Sequence, residues 1–147
     1  MKILVVNGVN LNLTGKRETG VYGNLTLDEI NDKIMAYCVS NGDEVRFFQS
    51  NVEGEIVNAL HGAYLDGDVD VIVLNAGAFT HYSYAIRDAI AGISVPVLEV
   101  HMSNVHAREE FRKHSVLSPV CKGVTFGFGL GSYIGAIAGF KAQKENV

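Results

Sequence analysis

Apolar residues along the chain fall into short runs separated by longer amphipathic stretches. Ile3 to Val6 is continuous and β-branched, and Val45 to Phe48, Val69 to Leu74 and Val95 to Val100 resemble it, with one charged residue each, Arg46, Asp70 and Glu99. Runs of that length and composition predict strands buried on both faces. A fifth, weaker run covers Val124 to Phe126. Between the runs the period changes to that of a helix. Thr26-Leu-Asp-Glu29 has capping-box spacing and opens a helix with Leu27, Ile30, Ile34 and Tyr37 or Cys38 on one stripe. Ser50 to Glu53 repeats the spacing ahead of Ile56, Leu60, Ala63 and Tyr64. Further helices are predicted from about Ser83 to Ala91 and from about Gly131 to Gln143, the last with Ile134, Ile137 and Phe140 on its inner face.

Strands that alternate with helices form βαβ units and a parallel sheet with right-handed crossovers. Five such strands in 147 residues predict an α/β, flavodoxin-like three-layer fold with a five-stranded parallel sheet. Only two prolines occur, with no repeat and no Ser/Gly-rich linker, so residues 1–147 read as one domain. In doubly wound sheets ligands bind outside the carboxyl ends of the strands. The chemistry is therefore expected just after each strand.

Composition narrows the partners. A net charge of -4 argues against nucleic acid, whose phosphates an acidic protein repels. No window approaches the roughly 20 apolar residues of a membrane span, so no membrane partner is expected. The apolar run behind Met1 stops at Asn7-Gly8, too soon for the core of a secretion signal. Cys38 and Cys121 form no CxxC pair and fit no zinc spacing, which reads as two reduced thiols of a cytoplasmic protein.

The segment after the first strand, residues 8–24, is long for a βα connection. It carries Arg17 and Tyr22 among Gly15, Gly20 and Gly23 as hinges. It reads either as a binding lid or as a surface loop with a solvated arginine. It is not a P-loop, because Asn10 stands where a glycine is needed and Arg17 where Ser or Thr is. Gly127-Phe-Gly129-Leu-Gly131-Ser132 lacks the last glycine of a dinucleotide fingerprint. The third strand ends in Asn75-Ala-Gly-Ala-Phe-Thr-His81, where Asn75 either caps the turn or meets a ligand, and His81 opens a helix or joins it.

The fourth strand is the most informative. Alternation places Val97, Glu99 and His101 on one face, and a carboxylate inside a buried strand needs a partner. A carboxylate that orients an imidazole and favours its protonated form makes a general acid; a purely structural pair is the other reading. His106, Arg108, Arg112, Lys113 and His114 follow. Arg108 and Arg112, four apart, share a face if helical and suit a bidentate carboxylate clamp, although a solvated helix face has the same pattern. No HxH or HExxH spacing marks a metal site.

Together, Asn-Gly-Val-Asn-Leu-Asn (7–12), Arg17-Glu18 with Tyr22-Gly23, Gln49-Ser-Asn-Val-Glu-Gly54, Asn75 to His81, Arg87-Asp88 and Glu99 to Glu110 closely resemble type II 3-dehydroquinate dehydratase, collinearly from about residue 3 to residue 140. The departures are Val9, where the family usually has proline, and Ala76, where proline is frequent. The resemblance implies trans-dehydration of 3-dehydroquinate to 3-dehydroshikimate through an enolate, without metal, Schiff base or organic cofactor, in the shikimate pathway of aromatic biosynthesis or, by the same reaction, in quinate breakdown. It implies Tyr22 as the base, Arg17 on the same lid stabilising charge, His101 as the acid oriented by Glu99, and Asn10 holding a water at the enolate. It places Asn75, His81 and Arg112 on the substrate, Ser103 and the Met102 backbone at its carboxylate, and Arg108 near the base. Asp88 would reach a neighbouring subunit's site, within a homo-oligomer built as a trimer-based dodecamer. Free tyrosine, with a pKa of about 10, is a poor base at neutrality; stabilising its phenolate enough takes about 4 kcal/mol, which nearby guanidiniums can supply.

Two rivals belong to other classes. A phosphoacceptor receiver needs acidic residues after strand one and an Asp ending strand three, where this chain has Asn7 and Asn75. A flavin carrier would purify yellow, and an inactive scaffold relative would lack residues that are present here.

Overall fold

The structure is a computed structural model that describes residues 1–145, and of Tyr22 the backbone alone. Five parallel strands, β1 (Lys2–Asn7), β2 (Glu44–Gln49), β3 (Val71–Asn75), β4 (Val97–His101) and β5 (Gly123–Phe126), lie in the order β2-β1-β3-β4-β5. That is the flavodoxin-like order, and its switch point lies between β1 and β3. Helices α2 (Leu27–Ser40) and α5 (Gly131–Glu145) cover one face, with α3 (Glu53–Asp66) and α4 (Tyr84–Ala91) on the other; α1 (Thr19–Tyr22) is a single turn in the loop after β1.

The alternating geometry of each strand divides its side chains between two cores. Ile3, Val5, Val71, Val73, Leu98 and Val100 meet Ile30, Ile34 and Ile137 on one side. Leu4, Val6, Ile72, Leu74 and Val97 meet Ile56, Leu60, Ile86 and Ile90 on the other. β3 and β4 are buried throughout. β2 is not: it is the sheet's edge, and Val45, Phe47 and Phe48 are half-buried. Its apolar run, interrupted by the exposed Arg46, reflects partial cover by α2 and α3 rather than a central position.

Strand limits differ from the apolar runs in one consistent way. β3 and β4 begin two residues later, β4 directly after Pro96, which cannot donate to the ladder. Each continues past the last aliphatic residue to Asn75 and His101, and β1 likewise ends on Asn7. The sheet thus carries polar side chains at its carboxyl rim while still in strand geometry.

Helix α2 starts as expected, with both halves of the Thr26–Glu29 capping box formed. The second expected box does not form. α3 starts two residues further on, at Glu53 after Val52, and the Ser50 hydroxyl instead bonds the Glu55 carboxylate and accepts from Val52 N–H. Tyr64 is exposed rather than on the buried stripe. In α5 the inner face is Tyr133, Ala136, Ile137 and Phe140, with Ile134 only half-buried. The segment expected to carry Arg108 and Arg112 on one helix is two separate 3-10 turns, Val105–Ala107 and Glu110–Lys113.

Candidate active site

The carboxyl ends of β1, β3 and β4 open onto a cleft lined by Asn10, Arg17, Asn75, His81, His101, Met102, Ser103, Arg108 and Arg112, among others. These side chains arrive from four separate segments. Only the parallel topology brings them together.

The loop after β1 is built rather than slack. Asn10 takes a left-handed conformation (φ 68), one that asparagine tolerates better than most residues. Its N–H donates to Asn51 Oδ1 at 2.9 Å, and Gln49 Nε2 donates to the same oxygen at 3.1 Å. The Gln49–Asn51 segment after β2 therefore props the loop that carries Asn10. Gly8 allows the closest approach between β1 and β3: a Cβ there would lie 2.3 Å from Ala76 O. Of the three hinge glycines, Gly15 and Gly23 take positive φ, whereas Gly20 lies within α1. Arg17 lines the cleft and pairs with Glu18. The Tyr22 side chain, expected beside it, lies outside the described residues.

At the end of β4, Glu99 is fully buried and His101 nearly so. His101 Nε2 lies 2.7 Å from Glu99 Oε1. Thr80 and Ser115 also donate to Oε1, and Ser118 donates to Oε2. Ser115 has no choice of direction. Its oxygen already accepts the Leu117 and Ser118 N–H groups, so its single proton goes outward. Burial alone would raise the Glu99 pKa, but the bonds from His101, Ser118 and Thr80 outweigh it and hold the carboxyl at about 2. A carboxylate so fully supplied with donors has no place for a proton. It fixes Nε2 of His101 as a donor and leaves Nδ1 as the nitrogen free to exchange a proton with the cleft.

His81 is held differently. Its Nδ1 lies 2.7 Å from the His114 carbonyl, which can only accept. Burial, and then the nearby His101 and Arg112, push its pKa down despite that bond. The neutral imidazole so favoured keeps its proton on Nδ1 and offers Nε2 to a hydroxyl donor.

Three guanidiniums, Arg17, Arg108 and Arg112, line the cleft against one carboxylate, Glu18. Arg108 donates to the buried Ser103 hydroxyl at 3.2 Å, and Arg112 pairs with Glu109 while covering the Phe111 ring at 4.8 Å. The cleft is thus arranged for a small anion. Asp88 is not part of it: that side chain is 77% exposed on α4 beside Arg87. Among the described residues no group of three His, Cys, Asp or Glu converges to hold a metal ion, and no helix is long and apolar enough to cross a membrane.

Several supporting residues were not singled out from the sequence. Thr80 was inside a marked segment, but Ser115 and Ser118 follow the basic cluster with no spacing to flag them. Tyr133 was legible only as an aromatic on α5, four residues from Ile137.

The whole chain has close relatives. The family described as Dehydroquinase class II matches residues 1–141. A 3-dehydroquinate dehydratase of Caldicellulosiruptor bescii is 51% identical over 140 residues, 95% of this chain and 96% of that protein. One of Clostridium beijerinckii is 51% identical over 144 residues, 98% of each. The crystal structure of the type II dehydroquinase from Butyrivibrio crossotus superposes with a TM-score of 0.91 at 52% identity, covering 94% of this chain and 95% of that one. By the family match over residues 1–141, by fold and by identity over nearly its full length, the chain belongs to the class II dehydroquinase family.

Proposed function

We propose that the protein is a hydro-lyase that dehydrates 3-dehydroquinate to 3-dehydroshikimate in the shikimate pathway, using no cofactor. The observation that carries this reading is the buried Glu99–His101 pair opening onto a cleft with three guanidiniums. The substrate is a carboxylate with a ketone, and the ketone acidifies the neighbouring C–H, so the chain needs to supply only a base, an acid and charge stabilisation. The phenolate of Tyr22 takes the proton α to the ketone, and the electron pair moves onto the carbonyl oxygen as an enolate. Collapse of the enolate forms the ring double bond and expels the β-hydroxyl, which leaves as water with a proton from His101 Nδ1. Arg17 and Arg108 stabilise the phenolate and the developing charge, and Asn10 holds a water at the enolate. Arg112, Ser103 and the Met102 backbone take the carboxylate, with Asn75 and His81 on the ring hydroxyls.

The loop 8–24 closes over the bound substrate and excludes water, which strengthens every charge inside. The working unit is a homo-oligomer, a trimer-based dodecamer in which Asp88 completes a neighbour's site; its exposure away from its own cleft supports that role. Cys38 lies in one core and Cys121, half-buried, packs against the core on the opposite face of the sheet, which suits a reduced, cytoplasmic setting. Turnover should be unaffected by EDTA and by borohydride added with substrate. Inactivation by borohydride would reveal an imine and overturn the enolate route; loss of activity with EDTA that returns with metal would overturn the cofactor-free one.

A further inference from the structure

Beneath the cleft, three polar side chains from three elements are sealed inside the protein. Asn7 ends β1, Asn75 ends β3 and Tyr133 lies in the first turns of α5, with Asn75, at 3%, the most exposed of the three. Burying such groups is costly unless they bond one another, and aliphatic or phenyl side chains fill core space without that cost.

The direction of every bond in this trio can be deduced. The Gly77 N–H can only donate, so the Asn75 atom 3.2 Å from it is Oδ1. Nδ2 of Asn75 must then face Tyr133, at 2.8 Å, and the phenol oxygen accepts. The single phenol proton is left for Asn7 Oδ1, at 2.6 Å. Burial raises the Tyr133 pKa although the Asn75 bond opposes it, so the phenol keeps this proton throughout the neutral range. Among the described residues Asn7 Nδ2 finds no partner. An amide N–H left open in a core costs about 1–3 kcal/mol. The trio is therefore not the cheapest way to join α5 to the sheet, and such an exception needs a reason.

Asn75 supplies one: it is the member of the trio that lines the cleft. We propose that Tyr133 is a positioning residue that, together with the Gly77 N–H at the other end of the amide, locks Asn75 in one orientation, so that its second N–H meets an oxygen of the substrate as a fixed donor. Turned over, the same amide would offer the cleft a carbonyl oxygen and repel that atom. The substrate here is the one in the proposed function, on which this inference rests.

Tyr133→Phe removes the hydroxyl and keeps the ring. We expect KM for 3-dehydroquinate to rise about tenfold with kcat changed less than twofold, the pattern of a lost binding interaction. In an Asn75→Ala background the same change should alter KM less than twofold, because no amide remains to be oriented. A merely structural hydroxyl would lower thermal stability and leave KM alone. An unchanged KM, or the full tenfold effect without Asn75, overturns the proposal. A second measurement needs neither the variant's folding nor turnover. With 15N-asparagine label, the Asn75 side-chain amide pair, assigned by its loss in Asn75→Ala, should show exchange protection in the wild-type protein. An Asn75 pair exchanging like a solvent-exposed amide refutes the lock even if the substrate assignment stands. A protected pair in a protein that fails to turn over 3-dehydroquinate supports the lock and removes the substrate assignment instead.

Discussion

Replacing Glu99 by glutamine tests the most unusual feature of the fold, a charged carboxylate with no solvent exposure. Glutamine copies the shape of a protonated glutamate, so the comparison isolates the charge. The Glu99 carboxyl is displaced from the ordinary 4.5 to about 2, a difference worth roughly 3 kcal/mol at 1.36 kcal/mol per pH unit. The sign follows from the direction. The folded value lies below the unfolded one, so the stabilisation is complete above pH 4.5 and is lost as pH falls toward 2. Urea unfolding followed by circular dichroism, at one protein concentration because association adds to apparent stability, should show wild type ahead of Glu99→Gln by about 3 kcal/mol at pH 7. The gap should close progressively between pH 4.5 and 2. Asp43, a second buried carboxylate, is lowered by Met1 and Lys141 against the cost of burial; it titrates in both proteins and cancels. A gap that stays constant with pH, or widens on acidification, would refute the claim that hydrogen-bonded charge stabilises this site.

Tyr22→Phe should nearly abolish turnover while leaving product binding by calorimetry largely intact; a variant keeping a tenth of wild-type kcat would remove Tyr22 as the base. Arg112→Met deletes a charge-assisted bond worth about 1.5–3 kcal/mol, so KM should rise about 10- to 100-fold with a smaller change in kcat, and an unchanged KM would take Arg112 off the carboxylate. Light scattering should give a mass near twelve times the 15.9 kDa chain, and a fully active monomer would exclude a shared site built on Asp88.

Much of this arrangement is written in one-dimensional pattern, and the parts that are not have physical reasons. β3, β4 and the Glu99–His101 pair are legible because a fully buried strand tolerates almost nothing polar, so a carboxylate within one stands out. β2 is also rich in apolar residues but is an edge strand, half-buried by helices on both sides, and the exposed Arg46 within it is the sequence mark of that position. The Ser50 spacing mimics a helix cap, yet its hydroxyl is taken by Glu55 and Val52, a competition settled only in three dimensions. The pattern around Asn75 allows a turn cap or a ligand contact; Oδ1 does cap Gly77, and the residue also lines the cleft. Arg108 and Arg112 reach the same cleft without sharing a helix, so the spacing pointed to the right neighbours through the wrong geometry. Ser115 and Ser118 carry no signal at all, because a serine bonded to a distant carboxylate is indistinguishable in sequence from one in any loop.

In the proposed reaction the Glu99–His101 pair, at the end of β4, delivers the proton that turns a leaving hydroxyl into water. That role is tested most directly by adding 3-dehydroquinate to wild type and to His101→Ala at equal concentration and following the ultraviolet absorbance of the conjugated enone. Wild type should give a steady rise, and His101→Ala, remaining folded, a rate lower by about 10²- to 10⁴-fold, the usual worth of a general acid. No rise with folded wild type, or an undiminished rate in His101→Ala, would contradict that role.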